Sequence, residues 1–194
     1  MADVRVQVGG KVAIVSHCLL NQNVKPYMRA RYPGIVPPVL DLLVRKGFAL
    51  FQLPCPEVSF AGLNRWSAVI EQYDTPKYRE HCRELAVQVV DQLAHYPQYG
   101  YRCVLLGIDG SPSCGIRLTG TSREWRGFPG SGAAGDRYPI GPGQGVLMQE
   151  LLAEMGRRGL PAPPMIGVGL DIHGIDLESL PAQLEAQLAE AGVQ

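Results

Sequence analysis

The chain has 194 residues, of which 46% are hydrophobic, and its 18 Lys and Arg residues balance its 18 Asp and Glu residues, so the formal net charge is zero. This length suits a single globular domain from residue 1 to 194, and the composition argues against overall disorder. The lack of a basic patch or charged tail argues against a nucleic acid polymer as partner. The amino terminus lacks a signal-peptide pattern, and no apolar run is long enough to span a bilayer. We therefore expect a cytoplasmic protein without a membrane partner, as a monomer or homodimer.

Short apolar segments that end in turn signals alternate with segments of helical periodicity along the chain. In chain order, the predicted elements are a strand at 11–18, a helix at 35–47, a strand at 48–55, a helix from about 74 to 96, a strand at 101–108, a helix at 145–159, a strand at 164–171 and a helix at 177–192. The strands are almost wholly apolar, which is typical of strands buried on both faces. This order predicts an α/β fold: a single domain with an open, mainly parallel sheet flanked by helices in a Rossmann-like three-layer arrangement.

One stretch, residues 118–144, is rich in glycine and proline and has no hydrophobic periodicity. It predicts a long loop between the third strand and the third helix. Loops of this length in a compact domain commonly serve as lids, binding loops or mobile segments. If the segment is a lid, shortening it should impair turnover more than folding.

Three of the five cysteines lie at or beyond the ends of predicted strands. Cys18 ends the first strand, Cys55 ends the second, and Cys114 follows the third. The carboxyl ends of parallel strands share one edge of the sheet, where open α/β sheets bind ligands, so we expect these thiols to converge in one pocket. The alternative is three separately buried thiols, since cysteine is among the most buried residues. Cys82, on a helix stripe, and Cys103, within a strand, are predicted core residues.

Three converging thiolates have more than one chemical use. They could hold zinc with water as fourth ligand, although paired CxxC spacings and the motif pattern of zinc deaminases are absent. They could hold a [4Fe–4S] cluster, which normally takes four cysteines and with three leaves one iron open. One of them could instead be a nucleophile with a partner base. His17 is a poor base for Cys18, because adjacent residues of a strand point to opposite faces.

Four motifs occur together in this chain: SHCLLNQN at 16–23, QLPCPE at 52–57, YDTPKYREHC at 73–82 and GIDGSPSCG at 107–115. In this order they resemble the domain family related to thiouracil desulfidases, and most of all its longer branch with CLNQN-type, PCPE and GSPSCG motifs. The likeness extends from residue 11 to about residue 170. The shorter branch commonly carries another cysteine a few residues after the first, where this chain has Asn23, Val24 and Lys25. That departure bears on the choice of substrate.

The resemblance implies a [4Fe–4S] cluster held by Cys18, Cys55 and Cys114 with one open iron. The implied activity is a desulfidase that removes sulfur from a thiolated nucleobase, or a similar small molecule, and releases sulfide. A soft thiocarbonyl sulfur suits an iron site in a thiolate-bound cluster. Attack of water on the carbon needs a base and a proton donor. By similarity, Glu57 is the expected proton shuttle, and Ser111 is the expected substrate-orienting or proton-relay hydroxyl.

Four further residues are candidates for substrate binding: Asn21, Asn23, Arg65 and Ser113. The two asparagine amides offer both a donor and an acceptor for a pyrimidine edge, or they stabilise their loop. Arg65, with Trp66, lines the pocket or lies on the surface. Ser113 bonds to a cluster sulfide or caps a turn.

Other polar residues have simpler interpretations. Asp171 and His173 follow the fourth strand at the same edge of the sheet, and His173 is better explained as structural than as a general base. Lys25 is expected to be solvated rather than to bind an anion. Tyr73 and Asp74 are better explained by helix capping.

Two other functional classes stay open on the sequence. The first is a non-redox module that binds a small molecule or zinc, which would be colourless. The second is a cysteine-nucleophile hydrolase, in which one cysteine would react far faster than the others with an alkylating agent. Measuring the iron and sulfide content of anaerobically reconstituted protein distinguishes the desulfidase from both alternatives, because neither of them would contain a cluster.

Overall fold

The structure is a computed structural model that describes residues 9–26, 29–125, 139–172 and 174–193. In chain order its elements are β1 (Lys11–Val15), α1 (His17–Leu20), a 3-10 turn (Gln22–Val24), α2 (Pro37–Arg45), β2 (Ala49–Gln52), α3 (Pro56–Ala61), α4 (Ile70–Tyr73), α5 (Pro76–Leu93), α6 (His95–Gln98), β3 (Arg102–Ile108), β4 (Leu118–Gly120), β5 (Ile140–Pro142), α7 (Val146–Arg157), β6 (Met165–Val168), a second 3-10 turn (Leu177–Ser179) and α8 (Leu180–Glu190). None of the described helices is long and apolar enough to cross a membrane.

The central sheet has four parallel strands in the order β2-β1-β3-β6. Side chains that alternate along β1 and β3 pack into two different apolar clusters, one completed by α2 and α8 and the other by α5 and α7. Both faces of β1 and β3 are therefore buried, which explains why these strands are continuous apolar runs in the sequence. The prediction that the second strand is buried on both faces is wrong, because the edge strand β2 is exposed at three of its four residues. The predicted single-domain α/β fold with a parallel sheet between helices is confirmed.

The first two strands are shorter than predicted. β1 ends at Val15 and the chain then turns into α1, where the backbone N–H of Leu19 donates to the carbonyl of Ser16 at 2.9 Å. The prediction that Cys18 ends a strand, with His17 on the opposite face, is wrong, because both residues belong to α1. Likewise β2 ends at Gln52, and Cys55 is the residue that precedes α3. Both thiols still lie just beyond the carboxyl ends of their strands.

The helix predicted from residues 74–76 begins as its sequence indicates. The Thr75 hydroxyl accepts a hydrogen bond from the backbone N–H of Tyr78 at 3.3 Å, and Pro76 occupies the first position of α5. This is the usual arrangement of a capping residue before proline. Cys82 is fully buried on the apolar stripe of this helix, as predicted. Cys103 is half-buried against the same apolar cluster.

The glycine-rich segment at 118–144 is ordered at both ends. β4 and β5 pair antiparallel there, with Thr119 opposite Gly141, so the prediction of a loop across the whole segment is wrong at its ends. Three-residue strands are too short for the apolar alternation that identifies a strand in sequence. Residues 126–138, the middle of the predicted loop, lie outside the described residues.

Gly107 in β3 allows the loop that carries Cys114 to fold back onto the strand. The backbone N–H of Ile108 donates to the carbonyl of Cys114 at 2.9 Å. A Cβ on Gly107 would overlap that carbonyl oxygen and would lie 2.6 Å from Cγ1 of Ile116. The absent side chain is therefore what permits this close approach.

We expect Gly107→Ala to lower the free energy of unfolding by about 1–3 kcal/mol or more, because the loop backbone must move away from the strand. Gly156→Ala in α7 is the matched control, since its added Cβ meets no atom within 4 Å and alanine favours a helix. Urea unfolding of both variants measures the difference. Equal stability of the two variants would contradict this account of the loop.

Candidate active site

A cavity lies at the edge of the sheet where the strands end. Its wall comes from the segments that follow β1, β2, β3 and β6, and it includes Cys18, Cys55 and Cys114 together. The other residues that line it are Ser16, His17, Val24, Lys25, Pro26, Arg29, Glu57, Arg65, Ser67, Ala68, Ile108, Ser111, Pro112 and Asp171. The structure thus brings together three thiols that are far apart in the sequence.

Each cysteine is placed by its own local structure. Cys18 lies in α1, where its carbonyl accepts a hydrogen bond from the buried Gln22 side chain at 2.5 Å. Cys55 precedes α3, whose first residue is a proline. Cys114 lies in a turn in which its backbone N–H donates to Ser111 Oγ at 3.1 Å. Three different backbone arrangements therefore direct thiols into one cavity.

The ionisation of the three thiols reflects their burial and their proximity. Burial raises the pKa of Cys18 to about 12, while the positive charge of Lys25 acts in the opposite direction. Burial is also the main cause that raises the pKa of Cys55 and that of Cys114. The charges of Cys55 and Cys18 raise the pKa of Cys114 further. Without a bound metal ion or cluster, all three thiols therefore stay protonated at neutral pH.

Glu57 and Arg65 form a buried ion pair in the cavity wall. Arg65 Nε donates to Glu57 Oε2 at 3.0 Å, and the exposed fractions of the Arg65 and Glu57 side chains are 6% and 12%. The rest of the guanidinium group donates to the carbonyls of Gly62 at 3.2 Å and Val24 at 2.8 Å. The guanidinium group is thus committed to the protein, and it holds Glu57 in a fixed orientation.

Tyr73 is a core residue at the end of α4, so the prediction that Tyr73 is explained by helix capping is wrong. Its buried ring stacks on Tyr78, with 4.4 Å between ring centroids. Asp74 follows α4 as its terminal residue and pairs with Arg79. The sequence alone offers no signal for the Tyr73 contact, because it depends on the packing of α4 against α5.

Ser111 lines the cavity with its hydroxyl. Ser111 Oγ accepts from the backbone N–H groups of Ser113 at 3.3 Å and Cys114 at 3.1 Å. In the contacts among described residues it acts as an acceptor, so its own hydrogen is left to donate into the cavity. Asp109 fixes the far side of the same loop, because its Oδ1 accepts three backbone N–H groups between Ile116 and Leu118.

Four predicted pocket residues do not line the cavity. Asn21 Oδ1 accepts from the backbone and side-chain nitrogens of Asn23, so the two asparagines stabilise their turn. Ser113 is fully buried, and its hydroxyl bonds to the Tyr78 hydroxyl at 2.7 Å. Trp66 has an exposed fraction of 57%. His173 lies outside the described residues.

Lys25 and Asp171 form a second buried ion pair in the cavity wall, which the sequence analysis missed. Lys25 Nζ lies 2.5 and 2.7 Å from the two carboxylate oxygens of Asp171, and each side chain is only 7% exposed. The prediction that Lys25 is solvated is therefore wrong. The pair joins residues 146 positions apart. The sequence did indicate that Asp171 lies at this edge of the sheet, because it follows the fourth strand, but nothing in the sequence indicated Lys25 as its partner.

Ser16 and His17 also line the cavity, next to Cys18. The Ser16 hydroxyl donates to the carbonyl of Leu106 in β3 at 3.3 Å. His17 Nδ1 lies 2.9 Å from the side-chain nitrogen of Gln52, whereas His17 Nε2 is buried without a hydrogen-bond partner among the described residues. Burial lowers the pKa of His17, which favours the neutral ring.

No protein-family model matches the chain. Over 108 residues it is 37% identical to the uncharacterized protein MJ0003 of Methanocaldococcus jannaschii, and the alignment covers 56% of this chain and 69% of that protein. The chain belongs to the MJ0003 family. Among solved structures, the chain is similar to the [4Fe-4S]-dependent thiouracil desulfidase TudS, with a TM-score of 0.48, 23% sequence identity and coverage of 91% of this chain and 97% of that one.

The cavity of this MJ0003 family member has a donor set that suits an iron–sulfur cluster. Its three thiols are of the ligand type that holds such clusters. In the described part of the chain, no three His, Cys, Asp or Glu side chains are grouped to hold a single metal ion. The three thiols line one cavity, and together they would hold a cluster. His17, which also lines the cavity, has a buried Nε2 atom without a hydrogen-bond partner among the described residues.

Proposed function

We propose that the chain is a [4Fe–4S]-dependent desulfidase of the cytoplasm that removes sulfur from a thiolated nucleobase, or a similar small molecule, and releases sulfide. The observation that carries the proposal is the cavity in which Cys18, Cys55 and Cys114 lie together with Glu57 and Ser111. The resemblance of the three cysteine motifs to desulfidase-related domains supports the same activity.

Cys18, Cys55 and Cys114 would hold the cluster. A bound cluster would supply a thiophilic iron as the Lewis acid for the substrate sulfur. The cavity residues then provide what the hydrolysis needs: a base for water, a proton donor and a fixed orientation of the substrate.

Glu57 is the proposed base. Its Oε2 is engaged by Arg65, so its second oxygen is the one directed to proton transfer. It takes a proton from the water that attacks the thiocarbonyl carbon, and the proton is then passed to the departing sulfur. The overall change converts C=S and water into C=O and hydrogen sulfide, and no external oxidant or reductant is consumed.

Ser111 is the proposed orienting hydroxyl. Because its oxygen already accepts two backbone N–H groups, its rotation is restricted and its hydrogen is available to the substrate. This hydrogen can bond to the substrate sulfur or to the ring atom beside it. Ser111→Ala should therefore weaken both substrate binding and turnover, and retain cluster content.

We expect Glu57→Gln to lower kcat by about 10²–10⁴-fold, because glutamine retains an acceptor for Arg65 but cannot take up a proton. Iron and sulfide content should match the wild type. The control is Glu190→Gln on the exposed end of α8, which should leave kcat unchanged. Sulfide release from thiouracil under anaerobic conditions measures both variants. A wild-type rate for Glu57→Gln would remove Glu57 from the mechanism.

The proposal as a whole is tested by anaerobic reconstitution with iron and sulfide. A brown protein with stoichiometric cluster, whose visible absorbance disappears in air and which releases sulfide from thiouracil, is the expected result. A colourless protein that takes up zinc, or no metal, would favour the binding module instead. A single fast-reacting cysteine without iron uptake would favour a cysteine-nucleophile hydrolase.

A further inference from the structure

His17 is a cavity residue to which the proposed mechanism gives no role. It lies in α1 directly before Cys18, and its ring is part of the same cavity wall. One ring nitrogen, Nδ1, pairs with the Gln52 side chain at 2.9 Å. The other, Nε2, is buried and has no hydrogen-bond partner among the residues that the structure describes.

The Gln52 contact determines which nitrogen carries hydrogen. The Gln52 atom next to Nδ1 is the amide nitrogen, which can only donate, so Nδ1 accepts and the ring hydrogen resides on Nε2. In this arrangement the buried Nε2 is the donor of the ring.

A buried donor without an acceptor is costly, by about 1–3 kcal/mol, so such groups are rare in native proteins. Gln52 lies on the edge strand β2 and orients the ring from outside the cavity. The residue that carries this buried N–H lines the cavity beside Cys18, together with the other two thiols, two ion pairs, hydroxyl groups and apolar side chains. Because the described residues supply no acceptor, an acceptor bound in the cavity is a partner that this N–H can take.

We infer that His17 donates a hydrogen bond from Nε2 to a sulfur atom bound in the cavity, and this inference rests on the proposed function. The sulfur is either an inorganic sulfide of the cluster or the thiocarbonyl sulfur of the substrate. Both acquire negative charge, and a hydrogen bond to either stabilises it. On a cluster sulfide such a bond raises the reduction potential, and on the departing sulfur it lowers the barrier.

The first experiment examines the ring in the protein without cluster. Nitrogen-15 NMR of histidine-labelled wild type should show His17 with hydrogen on Nε2 and an unprotonated Nδ1. Gln52→Leu removes the donor to Nδ1 and should give a mixture of both tautomers. A wild-type ring with hydrogen on Nδ1 alone would overturn the inference, whatever the protein does with iron.

The second experiment compares His17→Gln, which keeps an N–H of similar reach, with His17→Met, which matches its length but cannot donate. His95→Gln, on an exposed residue of α6, is the control. All are reconstituted anaerobically, and their iron content, reduction potential and thiouracil affinity are measured. We expect His17→Met to differ from wild type, and His17→Gln to stay close to it.

The pattern of change identifies the acceptor. A lower reduction potential of His17→Met without substrate points to a cluster sulfide. An unchanged potential with at least tenfold weaker thiouracil binding or slower turnover points to the substrate sulfur. Wild-type values in both variants, or loss of iron from both, would overturn the inference. If the wild type itself takes up no cluster, the proposed function fails, and the NMR result still reports on the donor.

Discussion

Replacing Cys18, Cys55 or Cys114 with alanine should each abolish the visible colour of the reconstituted protein and its release of sulfide. The three sulfurs line one cavity, and two remaining thiolates cannot hold a cubane cluster stably in the absence of other thiolates. Cys82→Ala and Cys103→Ala are the matched controls, because Cys82 is fully buried in the core and neither residue lines this cavity.

The measurement is iron and acid-labile sulfide per chain after anaerobic reconstitution, with the visible spectrum recorded for each variant. The controls should retain both, although Cys82→Ala should cost about 1 kcal/mol or more in stability, since it leaves a small cavity in the core. Urea unfolding of the protein without cluster separates this cost from cluster loss. Retained colour in Cys18→Ala, or lost colour in Cys103→Ala, would contradict the assignment of ligands.

Arg65→Met should destabilise the protein without cluster by about 3–5 kcal/mol, because it leaves the Glu57 carboxylate buried without its partner. Arg65 also supplies hydrogen bonds to the carbonyls of Val24 and Gly62, so the loop after α1 and the end of α3 lose a common donor. Urea unfolding measures the loss. Activity should fall as well, since the orientation of Glu57 depends on this contact.

The double variant Glu57→Gln with Arg65→Met should be less destabilised than the sum of the two single variants, because no buried charge remains unpaired. Arg83→Met is the control for a similar ion pair at the surface. Its guanidinium lies 3.2 Å from Glu150, but its side chain is half exposed, so its loss should cost less than about 1 kcal/mol. If Arg65→Met lowers the free energy of unfolding no more than Arg83→Met does, the Glu57–Arg65 pair does not stabilise the fold more than a surface ion pair.

The α/β fold and the convergence of the three thiols could be predicted from local patterns. Strands buried on both faces must be continuous apolar runs, and parallel strands must all end at one edge of the sheet. Placing Cys18, Cys55 and Cys114 after three such runs therefore requires little knowledge of packing. Small errors in strand length, as at Cys18, do not move a residue away from that edge.

The polar partners of the site could not be predicted, because they join segments that are distant in the sequence. Lys25 and Asp171 are 146 positions apart, and Lys25 was expected to be solvated, but the packing of their loops buries both side chains as an ion pair. Asn21 and Asn23 looked available to a substrate, yet their side chains bond to each other. Side-chain hydrogen bonds depend on distances of a few tenths of an ångström, which only the assembled loops define.

His17 illustrates both sides of this difference. Its place beside Cys18 is evident in the sequence, but a strand at 11–18 would have turned its ring away from the thiol. The early end of β1 places both residues in a short helix instead, where the ring joins the cavity wall. Apolar periodicity specifies which segments are buried and in what order, whereas the exact residue at which a strand gives way to a turn depends on the neighbours that pack against it.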